Sequence, residues 1–247
     1  MDRSVERAVS ASDVAPIGDV LHWPSAWRRF YFEPWRWADT AWFSLAGIPH
    51  ARYLAGSPAM QRMLMAGWCN CFGLQCELGM DLGQNPRNDG ATQLARWLDL
   101  MACEPGQLRL AAGLVGWVLR LDAEPAYGAG LADPARRQAL HYLQARPLRL
   151  LAVLAPAASV RQATMLELGL SALARLAASY ARPLHARVLM LLPPERGVPW
   201  LMPADDDVSL EQQAALTRLA RLWQAAQRWA GRMSPDGRST ALQRDAA

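Results

Sequence analysis

Apolar residues in this chain return mostly at three- and four-residue spacing, and Pro- and Gly-containing punctuation separates the runs. That spacing is the period of one face of an α-helix. SPAMQRMLMAGWCNCFGLQCEL (57–78) reads as a helix with Ser57 as N-cap and Pro58 at its first position. Its apolar positions are Met60, Met63, Leu64, Gly67, Trp68, Cys71 and Leu78. GMDLGQNPRNDGA (79–91) reads as a loop, and ATQLARWLDLMAC (91–103) as a second helix. A third, EPGQLRLAAGLVGWVLRLDA (104–123), opens on Glu-Pro-Gly. YGAGLADPARRQALHYLQ (127–144) begins as a turn and continues as a helix, with Asp133 as N-cap and Pro134 at its first position. ASVRQATMLELGLSALARLAASYA (158–181) follows as a helix rich in Ala and Leu.

HARVLMLLPPERGVPWLMP (185–203) breaks the pattern: a short apolar run before Pro193-Pro194 predicts an extended segment or a short helix. After Asp205, Asp206 and Asp207, a long amphipathic helix begins, with Ser209 and Gln212 in the spacing of a capping box. Alternating strand patterns are scarce. The pattern therefore predicts an all-α fold, a mainly helical globular domain with a small extended element near 186–192. A mobile leader over 1–20, one helical domain over 21–232 and a frayed polar tail over 233–247 complete the organisation.

Composition adds constraints. The chain has 247 residues, 52% apolar and 19% charged, an ordinary globular balance. All 26 Lys+Arg positions are arginine, which excludes chemistry built on a P-loop, Schiff-base or kinase-type lysine. The net charge of +4 is spread along the sequence with a mild bias to the C-terminal third, which argues against a dedicated nucleic-acid surface. No apolar h-region opens the chain, and LLAVLAPAASV (150–160) is about half of the ~20 residues that a bilayer span needs. A cytosolic protein with free thiols is expected.

No residue set forms a catalytic constellation. Cys69, Cys71 and Cys76 lie within one predicted helix, with Cys103 later, and are expected to be buried free thiols rather than zinc ligands. His22, His50, His141 and His185 stand alone, as packing or surface residues. Asp205–Asp207 suit a helix entry, where acids oppose the dipole. Gly113 and Gly116 lack a dinucleotide-binding context and are expected to let two helices approach closely. The search predicts no catalytic residue, no cofactor and no metal, and a binding or assembly role.

Two surfaces are candidates for that role. In the last helix, Leu219, Leu222, Trp223, Ala226, Trp229 and Ala230 share one face, while Arg218, Arg221, Arg228 and Arg232 gather on an adjacent sector. Arginine forks there would suit an acidic partner. WPSAWRRFYFEPWRWADTAWF (23–43) holds five of the chain's eleven tryptophans. Most of its rings are expected to be buried around Phe32 and Pro34, leaving Arg28, Arg29 and Arg36 as contact points beside them.

Three blocks of sequence resemble the OrgA/MxiK family of cytosolic sorting-platform adaptors in bacterial type III secretion systems. WRRFYFEPWRWAD (27–39) resembles the family's F-[DE]-P-x-x-[aromatic] core, here Phe32-Glu33-Pro34-Trp35-Arg36-Trp37. LRLAAGLVGWVLRLDAEPAYGAGLADPARRQAL (108–140) is similar to its central helix with the Leu114-Val115-Gly116 step, followed by a small-residue turn and another helix. RVLMLLPPE (187–195), with LWQAAQRWA (222–230) after an acidic loop, resembles its Leu-Pro-Pro segment and final helix.

The resemblance implies a helical, non-enzymatic adaptor at the cytosolic face of the inner membrane. Its implied partners are the cytosolic domain of the inner-membrane ring protein and the pod protein, with an indirect link to the ATPase and its regulator. The partner-binding candidates are then Trp27, Arg28, Arg29, Phe32, Pro34, Trp35, Arg36, Arg218, Arg221 and Arg228. Two other classes stay open: a secretion chaperone or regulator, and a small-ligand binder or enzyme with an aromatic pocket.

Overall fold

The computed structural model describes residues 30, 33–45, 58–72, 74, 104–145, 163–180, 182–194 and 210–233. Among them are seven α-helices and no strand: α1 (Ala41–Leu45), α2 (Pro58–Phe72), α3 (Pro105–Ala123), α4 (Pro134–Ala145), α5 (Met165–Tyr180), α6 (Arg182–Leu189) and α7 (Leu210–Met233). A single 3-10 turn, Pro34–Arg36, precedes α1.

Helix α3 is the hub. Its sequence is apolar on nearly every side, and every residue from Leu114 to Leu121 is buried. A helix with no polar face must be covered all round, and α4, α5 and α7 all pack on it. The α3–α5 contact is the closest. A Cβ on Gly116 would collide with the Met165 carbonyl, and one on Gly169 with the Ala112 carbonyl. The backbones meet where side chains are missing. Gly113, expected to share that role, has open space where its Cβ would be.

The helix starts follow capping chemistry. Asp133 Oδ1 accepts hydrogen bonds from the Ala135 and Arg136 N–H groups at 2.7 and 3.4 Å, as the Asp133-Pro134 pair predicts. Asp133 Oδ2 also accepts from Trp117 Nε1 at 3.0 Å, tying the start of α4 to the hub. Helix α5 opens on a reciprocal box: Glu167 Oε2 accepts from the Thr164 N–H at 2.7 Å, and Thr164 Oγ1 from the Glu167 N–H at 3.2 Å. The chain enters α4 through a turn in which Gly128 and Gly130 have φ of 63° and 93°, a region L-residues avoid.

Two cores result. The larger gathers α3, α4, α5 and α7 with Phe30 and Trp37; the smaller holds Trp35, Ala38, Phe43, Trp68, Cys69, Leu74 and Met190. In the smaller core, rings of Phe43 and Phe72 stand 5.1 and 4.9 Å from that of Trp68. Trp42 Nε1 donates to the Leu192 carbonyl at 2.7 Å, and the Asp39 N–H to the Met190 carbonyl at 2.8 Å. The described rings of the aromatic stretch thus pack as expected. Phe30, Trp35, Trp37 and Phe43 are buried, and Trp42 is partly so.

Of the two readings of the run before Pro193-Pro194, the short helix holds and the extended element near 186–192 does not: these residues are the end of α6 and a turn, with the Leu191 N–H bonded to Val188 O and the Leu192 N–H to Leu189 O. Only Val188 there is β-branched, and Pro183 sits in the first turn, where a missing N–H breaks no helical bond. Among the α2 residues whose side chains are described, Trp68 and Cys69 are buried, while Met63, Gly67 and Cys71 are exposed, so Cys71 is not a core thiol. The helix also stops at Phe72 rather than 78, and Leu74 N–H folds back onto the Cys69 carbonyl. The leader 1–20, the Ser57 and Ser209 caps, the 79–91 loop, the 91–103 helix, Cys76, Cys103, Asp205–Asp207 and the polar tail from Ser234 lie outside the described residues. So do the side chains of Met60 and Leu64.

Candidate docking groove

Helices α4 and α7 both pack on α3 but make little direct contact with each other. The valley between them is an open groove of about 350 Å³. Each wall is a stripe at i, i+3, i+4 and i+7: Gln138, His141, Tyr142 and Ala145 from α4, and Arg221, Gln224, Ala225 and Arg228 from α7. Such a stripe stays on one side of a helix for two turns, about 10 Å. The inner faces of the same helices are apolar. Ala139 of α4, and Leu219, Leu222, Trp223, Ala226, Trp229 and Ala230 of α7, are buried against the larger core. Amphipathicity therefore orients both helices and turns their polar stripes towards each other. Ala145 and Ala225 are small, which leaves the space open.

The walls carry cations and amides but no carboxylate. Arg221, Arg228 and His141 are exposed. Among the described residues, none of the polar side chains on the two stripes has a hydrogen bond or ion pair. Together α4 and α7 contain six arginines and one glutamate, against a net charge of +4 for the whole chain. Two of those six arginines, Arg221 and Arg228, line the groove, where two segments about 80 residues apart in sequence both settle on α3.

The candidates named from the sequence do not share one surface. Arg221 and Arg228 form the groove's α7 wall; Arg218 is exposed on α7 but outside the groove. Pro34 and Trp35 are buried in the chain's own core, so in this conformation their side chains are packing rather than contact surface. Arg36 is exposed and forms an ion pair with Glu33. Trp27, Arg28, Arg29 and Phe32 lie outside the described residues.

The α4 wall escaped the sequence reading. His141 looks isolated along the chain, and nothing local links it to Arg221. The i, i+3, i+4, i+7 match between 138–145 and 221–228 is visible once the two helices are known to be neighbours.

Among the described residues three other arginines are buried: Arg120, Arg175 and Arg187. Arg120 Nη2 donates to the Ala163 carbonyl at 2.6 Å, and its guanidinium lies 4.6 Å from the Tyr127 ring centroid. Burial pushes the Arg175 guanidinium below its ordinary range. These arginines are structural, unlike those of the groove. Among the described residues no group of three His, Cys, Asp or Glu side chains is placed to hold a metal, and no helix is long and apolar enough to cross a membrane. Compared with known proteins, the chain matches no family model, no curated protein and no solved structure.

Proposed function

We propose that the protein is a non-enzymatic adaptor of a bacterial type III secretion system, joining the cytosolic domain of the inner-membrane ring to the sorting-platform pods. The observation supporting a binding role is the groove between α4 and α7: unengaged guanidinium and amide groups beside alanines, on a helical body. Guanidinium forks bind and orient carboxylates. The secretion context rests on the three sequence blocks alone, and so does the place at the cytosolic face of the inner membrane.

The test is affinity capture of the tagged full chain from a secreting strain. Recovery of a ring protein and a pod protein, with loss of secretion on deletion, is the expected result. Recovery of neither partner overturns the assignment.

A further inference from the structure

We propose that the groove between α4 and α7 receives one acidic helix of a partner protein, whose carboxylates lie seven residues apart with an apolar residue between them. The proposal rests on the adaptor reading only in requiring a protein partner. Its spacing comes from the groove. Arg221 and Arg228 stand two helical turns apart on one stripe, about 10 Å along the axis. Two carboxylates at i and i+7 on an opposing helix have the same separation and nearly the same azimuth. Between the arginines in sequence stand Gln224, an amide, and Ala225, and the α4 wall of the same groove adds the small or apolar surface of Tyr142 and Ala145. An apolar side chain at i+3 or i+4 of the ligand helix fits that gap.

Three observations favour this occupant. The valley between two helices packed on a third is the place that another helix fills in helix-in-groove recognition. The volume, about 350 Å³, is near the lower end of the roughly 300–1,000 Å³ of small-molecule sites, and open, which suits side chains projecting from a docked element. The two walls supply two arginines and no carboxylate, so a cationic ligand is opposed and an anionic one is matched. Nucleic acid fits less well. Its affinity grows with the number of phosphates neutralised, and a two-arginine wall with one aromatic ring neutralises few.

The experiment uses the full chain and a labelled alanine-based peptide of about 20 residues, long enough to be helical alone. The peptide carries glutamates seven residues apart and a leucine midway. Fluorescence anisotropy at low ionic strength is expected to show binding. It should weaken tenfold or more when the glutamates are moved to opposite faces, when proline interrupts the peptide, or in Arg221→Glu and Arg228→Glu. Arg109→Glu, an exposed site on α3 outside the groove, should leave affinity unchanged.

A peptide with arginines in place of both glutamates should bind the Arg221→Glu/Arg228→Glu double variant and not the unsubstituted protein. That exchange cannot come from misfolding. Arg221→Gln should weaken binding less than Arg221→Glu. Equal binding of the misplaced-charge or proline peptide, failure of the charge exchange, tighter binding of a single-stranded oligonucleotide, or no binding overturns the proposal. Any of these outcomes, with ring and pod proteins still captured, leaves the adaptor reading standing.

Discussion

Gly113 and Gly116 are one helical turn apart on α3, and substituting each with alanine should have opposite signs. At Gly113 the new methyl meets nothing, so alanine gains helix propensity and is expected to stabilise by about 0.5–1 kcal/mol. At Gly116 the methyl strikes the Met165 backbone, and the helices must separate at a cost of about 3 kcal/mol. Gly169→Ala should behave like Gly116→Ala. Urea midpoints of the three variants check this; equal shifts at 113 and 116 would show that the α3–α5 approach is not as close as described. Arg120 belongs to the same scale. Its truncation to alanine leaves the Ala163 carbonyl without that donor and strips the face of Tyr127, so a loss of about 2–4 kcal/mol is expected in the same assay.

The elements divide by whether their boundary chemistry is local. Asp133-Pro134 and Glu104-Pro105 mark the starts of α4 and α3 in the sequence, and the helices begin there. The Thr164-x-x-Glu167 box that opens α5 is equally local but lies inside an Ala/Leu-rich run, where periodicity alone places the start at 158. The end of α2 at Phe72 was less legible, since apolar spacing continues to Leu78, and the run before Pro193-Pro194 left an extended and a helical reading open; in the fold the two segments meet, Trp68 Nε1 donating to Met190 Sδ at 3.1 Å.

Asp133→Ala removes both the cap and the acceptor for Trp117. Its cost should exceed the roughly 1 kcal/mol of an ordinary cap. Asp133→Asn, which keeps an oxygen for the cap, should recover part of it. Thermal unfolding distinguishes the two; identical losses would mean that capping contributes nothing there.

At the scale of the molecule, the arginines of α7 should not be equivalent. Charge reversal at Arg221, on the groove wall, should weaken capture of an acidic partner more than reversal at Arg218, which is exposed outside it. Neither should shift the melting temperature by much, since both side chains are exposed. The partner complex should also dissociate as salt rises towards about 1 M, where the screening length falls to about 3 Å. Retention of the partner at unchanged yield across that range would remove the cationic wall from the interface.

Helical class, most element starts, the buried face of α7 and the packing of the described aromatic rings were all determined by the sequence itself. Each rests on spacing within one segment or on a residue beside a helix end. The groove was decided by tertiary structure alone. Gln138 and Arg221 are 83 positions apart. They come to line one groove because α3, buried from Leu114 to Leu121, draws both α4 and α7 onto it, and no local period records that meeting.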